Sequence, residues 1–385
     1  MRKGMWLIFA FILTCALAAA QTKYKIQDLG TLGGTSASCG HGLNIETQVA
    51  EVATLPNDQI KHLFLWQKGT IEDLGTLGVS TGCVGTMGMN FTAEIVGSYF
   101  LEDGTTHPYL WRKGALVDLG TLGGANAFAE GIDDFTRIVG GSFLADDTNV
   151  RAFVWFDGKM HNLPVGFGGP NSVAHGINNF ARIIGEAETA DITTRGFAKF
   201  NAYTWQNGVQ ESLPTLGGDL SVALATNLQG HVVGLSETSV LEPITGWPLS
   251  HAYLWRNGAM KDLGTIPGDD ASHANQVNNF DQVVGTSGRG INMVGWTANT
   301  LLNLLGISPD CSGFNYQLDP CFDWQNAHGF LWQNGKMYDL NDLIPGSSGW
   351  HLISGDAIND LGEIVAAGFT DDDPNIRSCL LRPTK

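Results

Sequence analysis

The sequence predicts an all-β fold: a β-propeller of seven four-stranded blades, closed by N- and C-terminal strands that share one blade. Three observations carry that prediction. Four strand signals recur in the same order along the chain. The recurrence is about 47 residues, since Trp66 and Trp255 lie 189 residues apart over four repeats; four strands in 40–50 residues is one propeller blade. The two ends supply complementary parts of one repeat. No window shows an apolar period of 3.6 residues, so helices are expected to be nearly absent.

The first strand of the repeat reads aromatic-x-Trp and runs into a two-residue turn. Examples are Phe64-Leu65-Trp66 before Lys68-Gly69, Phe153-Val154-Trp155 before Asp157-Gly158, and Tyr253-Leu254-Trp255 before Asn257-Gly258. Asn-Gly and Asp-Gly between apolar runs mark hairpins whose two turn residues need positive φ. The second strand carries Asp-Leu-Gly-Thr-Leu-Gly, at Asp28, Asp73, Asp118 and Asp262, with variants at Asn162, Ser212 and Asp339. The third ends in an apolar residue and Asn or Asp, as at Leu43-Asn44, Ile132-Asp133, Ile177-Asn178 and Ile358-Asn359. The fourth is β-branched and closes on glycine, as in Ile138-Val139-Gly140, Ile183-Ile184-Gly185 and Val283-Val284-Gly285. The six repeat tryptophans are expected in the core between blades. Burying one removes roughly 150–250 Å² from water.

The chain ends close the count. The first repeat signal is a second strand, Asp28-Leu29-Gly30, with no first strand before it. The last, Ser378-Cys379-Leu380-Leu381, resembles a first strand with nothing after it. Joined, they complete one blade, and with six internal blades the ring has seven. Closure also removes sheet edges that invite aggregation.

The unit His251-Ala252-Tyr253-Leu254-Trp255 through Thr265 resembles the bacterial extracellular repeat family named after its His-Ala-Phe signature (HAF repeats). The resemblance covers essentially all of the chain after residue 20 apart from the insertions, and it implies export. It carries no catalytic residue over to this sequence. The chain departs from the signature at Arg151, Asn201 and Ser378, where the leading His is missing.

Residues 1–20 read as a secretory signal peptide: basic Arg2 and Lys3, an apolar run from Met5 to Leu17, then Ala18-Ala19-Ala20 before Gln21. Residues 21–385 read as a single propeller domain with an insertion at about 288–327. The expected protein is secreted, extracellular or periplasmic, monomeric and without a transmembrane anchor. Export permits disulfides, and Cys311 with Cys321, ten residues apart in the insertion, is the best pair. Cys39 and Cys83 occupy similar places in adjacent repeats, and Cys379 is left odd.

The full chain has 21 basic and 38 acidic residues, a net charge of −17. No nucleic acid partner is therefore expected, since phosphate binding needs clustered Lys and Arg. No nucleophile elbow, zinc-protease helix, phosphate loop or dinucleotide fingerprint is present. No cofactor and no metal site is expected. His62, His107, His251 and His328 share one repeat position, but equivalent residues stand on separate blades. Each is expected to bond within its own blade rather than to one ion. The acidic pairs in the connectors lack the spacing of a calcium loop.

Two sets of residues remain as candidates. Connectors from the fourth strand to the next first strand share one face and vary most in length, the mark of a binding face. Their aromatics Trp247, Phe314, Tyr316 and Trp324 suit a sugar ring or a peptide side chain. The second set is the variable position before the last residues of the third strand: His41, Glu130, His175 and Asp356, which line the channel if that strand is innermost. The reading is a non-catalytic binding protein for a carbohydrate or a protein. The alternatives are a polysaccharide hydrolase or lyase working from channel carboxylates such as Glu130 and Asp356, and a structural cell-surface module.

Overall fold

The structure, a computed structural model, describes residues 23–37, 42–57, 60–76, 78, 80–81, 88–193, 196–243, 246–289 and 326–384. Seven antiparallel sheets form a ring, each running from an inner to an outer strand. Blade 1 is Gly42–Leu43, Gln48–Thr54, Lys61–Gln67 and Thr70–Gly75. In blade 2 the inner edge is Ser80–Thr81 and Gly88–Met89, followed by Ile95–Phe100, Thr106–Arg112 and Ala115–Asp118. Blade 3 is Gly123–Ile132, Ile138–Leu144, Val150–Phe156 and Lys159–Asn162. Blade 4 is Gly168–Ile177, Ile183–Ile192, Ala198–Gln206 and Val209–Ser212. Blade 5 is Gly217–Thr226, Val232–Leu241, Pro248–Arg256 and Ala259–Gly264. Blade 6 is Ala271–Val277, Val283–Gly288, His328–Gln333 and Lys336–Asp339. Blade 7 takes Trp350–Ile358, Ile364–Thr370 and Asp373–Pro383 from the C-terminal end and Tyr24–Asp28 from the N-terminal end.

The seven-blade count and the shared closing blade are as the sequence predicts. The frame is shifted by half a unit. A blade contains, from the centre outward, the third and fourth strands of one sequence unit and the first and second of the next. The third strand of the sequence unit is innermost: successive inner strands touch one another around the ring. Within a blade the strands are named from the centre as inner, second, third and outer.

The repeated residues have local reasons. The hairpin between third and outer strand places its two turn residues at positive φ, as in Asn257 (52°) and Gly258 (79°). Asp-Leu-Gly closes the outer strand: the Asp118 Oδ1 accepts the Gly120 N–H at 2.8 Å while Leu119 is buried between blades. The same Asp holds the repeat histidine: Nδ1 of His62, His107 and His251 lies 2.9–3.0 Å from Asp73, Asp118 and Asp262 in the same blade. The glycine ending the fourth-strand motif is required by close approach. A Cβ on Gly140 or Gly185 would lie 2.0 Å from the carbonyl oxygen of Phe128 or Val173 on the inner strand.

The core is a series of seams between blades rather than one centre. Trp66 packs with Val49, Phe64, Val365 and Leu380 across the closing seam, and Trp255 and Trp332 fill equivalent seams. Trp111, Trp155 and Trp205 are partly buried against theirs.

A belt of hydrogen bonds circles the ring at the turns joining inner and second strands. The Asn90 side chain accepts the turn's own N–H groups through Oδ1 and donates through Nδ2 to the Asp133 carbonyl of the next blade, 3.1 Å. Asn178 donates likewise to Asn227, Asn227 to Asn278, Asn278 to Asn359, and Asn359 to Asn44, at 2.8–3.1 Å. The Asp133 side chain has no N–H to donate. Arg137 spans that gap, bonding the Asp133 carboxylate and donating Nη2 to the Asn179 carbonyl at 3.0 Å. The repeated Asn is thus a turn cap, as expected from sequence, and also an inter-blade tie.

Candidate functional site

Because neighbouring strands are antiparallel, the connectors from second to third strand and those from outer to inner strand share one side of the ring. A pocket of about 340 Å³ opens there between blades 6 and 7, lined by Asn326, His328, Asp339, Asn341, His351 and Phe369. It forms where the His–Asp pattern breaks. His328 and Asp339 keep the eleven-residue spacing of the other pairs, yet His328 Nδ1 turns to Asp269, 3.0 Å away in the linker from blade 5. That bond holds the His328 imidazole above its usual pKa, against the effect of burial.

Asp339, released from its histidine, caps a 3-10 turn, Leu340–Asp342, and accepts from the Asn341 N–H and Nδ2. Burial lifts its carboxyl above the usual range despite those bonds. Asn341 is locked in turn: its amide exchanges bonds of 2.8 and 2.9 Å with the Leu352 backbone. His351 stacks on Phe369, 5.0 Å between centroids, and its Nε2 meets Asp371 at 2.8 Å. The wall therefore offers a carboxyl, an amide, two imidazoles and an aromatic face, a set that suits hydroxyl-rich or polar ligands.

Trp247 lies on the same side of the ring, on the connector of blade 5, and stacks against Phe197 of blade 4 with centroids 5.9 Å apart. Phe314, Tyr316, Trp324, Cys311 and Cys321 fall outside the described residues, as do His41, Cys39 and Cys83. Cys379 is buried, and burial raises its thiol pKa, with Asp356, Asp28 and Glu51 adding to the effect. The acidic connectors serve their own turns: Asp103 accepts from Thr105, and Asp146 from Thr148 and Asn149.

The channel candidates share a backbone device. Glu130, His175 and Asp356, with Leu224 and Asn275, are each the extra residue of a β-bulge in an inner strand. A bulge re-aims its side chain, here toward a neighbouring blade or back to its own strand. Asn275 Nδ2 donates to the Gly355 carbonyl at 3.1 Å, and Ser354 donates to Asp356 at 2.5 Å. His175 stands between Glu130 at 3.8 Å and Glu186 at 3.6 Å, all three buried.

Those contacts are ionic in length rather than hydrogen bonds. Burial works against a charged His175, but the two carboxylates prevail and raise its pKa to about 9. Glu186 is the partner that strand patterning overlooks. Its signal was present: the residue after the fourth-strand glycine is Ser98, Gly141, Leu235 or Thr286 elsewhere and acidic only in blade 4.

No family model matches the chain, and no curated protein matches it. Solved structures do. The β-propeller domain of the Trilobed protease from Pyrococcus furiosus is similar over 93% of both chains, at 8% identity and a TM-score of 0.51. An acylaminoacyl peptidase from Pyrococcus horikoshii matches at 10% identity over 89% of this chain and 51% of its own, with a TM-score of 0.46. A gluconolactonase from Xanthomonas campestris matches at 13% identity, over 76% and 83%, with a TM-score of 0.36. This chain spans about half the length of that peptidase. At these identities the likeness is one of fold alone.

Proposed function

We propose that this chain is an exported, non-catalytic propeller that binds a carbohydrate through its connector face, centred on the pocket between blades 6 and 7. The observation that carries the reading is the broken His–Asp pair. Blades 1, 2 and 5 each use their histidine to hold the outer strand. Blade 6 diverts His328 and leaves Asp339 and Asn341 beside His351 and Phe369 in a recess. Rigid strands fix the wall, and variable connectors set what enters. The channel acids support a structural part instead: Glu130 is buried beside His175, and Asp356, partly buried, accepts from Ser354.

The test is incubation of purified protein with a panel of insoluble polysaccharides, scoring retention and released soluble fragments together. Retention without release is expected. His351→Ala and Asp339→Asn should each weaken retention by about tenfold, the loss of one or two polar contacts, with thermal stability little changed. Release of fragments that Glu130→Gln abolishes would overturn the non-catalytic reading. Retention unmoved by both pocket variants would remove the pocket from it.

A further inference from the structure

The opposite side of the ring carries a feature that ligand binding does not use. Each turn between inner and second strand exposes one apolar side chain. Phe135, Phe180, Phe280 and Leu361 stand two residues after the belt Asn or Asp, exposed to 69%, 66%, 70% and 57%. Ile45, Phe91 and Leu228 stand one residue after it and are also exposed. The two positions are complementary. Where the first is apolar, the second is Glu46, Thr92 or Gln229; where the first is Asp134, Asn179, Asn279 or Asp360, the second is apolar.

Neither position packs its apolar residue into a blade. The first, when polar, ties blades together: Asp134 accepts from the Phe91 N–H and Asp360 from the Asn279 N–H. The result is a closed ring of seven apolar side chains around one mouth of the propeller, one per blade. Folding alone does not call for it, since exposure leaves these groups in water.

The geometry points to an anionic lipid bilayer surface as the partner of this face. Charge is the first argument. Lys68, Lys113, Lys159 and Lys336 lie at the third-to-outer hairpins on this side, and Arg137 and Arg182 flank Phe135 and Phe180, with the Arg137 guanidinium stacked on the Phe135 ring at 5.1 Å. The connector side holds Glu102, Asp103, Asp146, Asp147, Asp371 and Asp372, and its described cations are few: Lys61, Arg151, Lys199, Arg289 and Arg377. This side also carries acids, among them Glu46, Asp134, Asp157, Asp281 and Asp360, but its cations offset them, whereas the connector side is strongly acidic. An anionic surface is therefore repelled by the connector side and not by this one.

The second argument is where the chain enters. Tyr24 pairs with Pro383 at the same end of blade 7 as the Asn359–Glu363 turn, and Arg382 is tied to Glu363. On the proposed reading that the chain is exported, the residues that precede Lys23, with the apolar run Met5–Leu17 behind Arg2 and Lys3, join the ring at this face. A second copy fits less well. Two such faces would oppose lysine to lysine, and single apolar side chains spaced one per blade do not knit into the continuous core that a stable interface needs. Separate apolar anchors interspersed with cations are what an interfacial lipid contact uses.

The test is flotation of residues 21–385, which contain all seven blades, with vesicles of phosphatidylcholine alone and of phosphatidylcholine with 30% phosphatidylglycerol. Binding to the anionic vesicles is expected, weakened by high salt through screening. The triple variant Phe135→Ser, Phe180→Ser, Phe280→Ser should lose at least about tenfold in partition, and Lys68→Glu with Lys113→Glu should lose binding while leaving every apolar residue in place. All substituted groups are exposed, and an unchanged melting temperature confirms folding for each. Equal flotation of wild type and the triple serine variant, or no flotation of wild type, would overturn the proposal. So would a dimer on light scattering that the serine variant abolishes while vesicles are ignored.

Discussion

His175→Ala is expected to destabilise the fold by about 3–5 kcal/mol, the range for stripping one partner from a buried ion pair. The imidazole stands 3.8 Å from Glu130 and 3.6 Å from Glu186, and all three groups are buried. Alanine would leave two carboxylates in low dielectric with their cation gone, and a cavity besides. The Tyr203 phenol beside Glu186 is no substitute. Its hydroxyl already donates to the Val173 carbonyl, and burial, with the Glu186 charge adding to it, keeps it protonated far above neutral pH.

The same triad predicts a pH signature. His175 has its folded pKa raised from 6.5 to about 9. A base whose pKa is raised by folding binds its proton more tightly in the native state. Its stabilisation is therefore complete below about pH 6.5 and lost as pH rises through 9, up to about 3 kcal/mol in all. Urea midpoints of the wild type should fall across that window, and those of His175→Ala should be flatter there. A His175→Leu, Glu130→Gln, Glu186→Gln triple variant should recover much of the loss, because apolar and neutral groups replace a buried ionic set at little net cost. A wild-type midpoint constant from pH 6.5 to 9 would show that His175 carries no such charge.

How far the sequence could be read divides along one line. Strand signals that depend only on near neighbours were legible. The Trp-x-x-Gly hairpin needs positive φ at two adjacent residues, and Asp-Leu-Gly needs a carboxylate two residues before an N–H. Those local demands repeat with the blade, so the seven-blade count followed from spacing and from the split closing repeat.

What stayed hidden depends on which unit meets which across a seam. A repeat carries no mark of where the ring axis lies, so the inner strand had to be seen. Glu186 reads as one more polar residue until the bulge at His175 brings it within 3.6 Å. His328 and Asp339 keep the spacing of a pair, and only the arrival of Asp269 from the preceding linker separates them. The exposed turn phenylalanines resemble core residues in a composition count. Their exposure follows from a choice between two adjacent turn positions that alternation in the strands does not determine.

Starting the chain at residue 29 rather than residue 21 is expected to abolish cooperative folding at ordinary growth temperatures, because residues 21–28 supply the outer strand that closes the ring. Tyr24–Asp28 pairs in register with Cys379–Pro383. Tyr24 is buried among Leu340, Leu343 and Leu381, and burial raises its phenol pKa to about 12. Asp28 meets Arg377 at 2.9 Å, and the Tyr24 N–H donates to the Leu343 carbonyl. Without that strand blade 7 ends on an open edge, and the Leu29 side of the seam with Trp66 is weakened. Tyr24→Ala alone should cost about 3–5 kcal/mol, as large aromatic truncations in cores do.

The converse change should stabilise. Asp28 lies directly opposite Cys379 in the antiparallel pair, within the Cα separation that a disulfide spans. Asp28→Cys would join the two ends of the ring across nearly the whole chain. For so long a loop the gain in stability reaches about 5 kcal/mol at its upper limit, reduced by the lost Arg377 contact and by burial of the Cys379 thiol. Melting curves under oxidising and reducing conditions measure it directly. A rise of several degrees that reductant removes is the expected result. Equal melting temperatures in both conditions, with the bond shown by mass spectrometry to have formed, would mean that ring closure is not what limits the stability of this propeller.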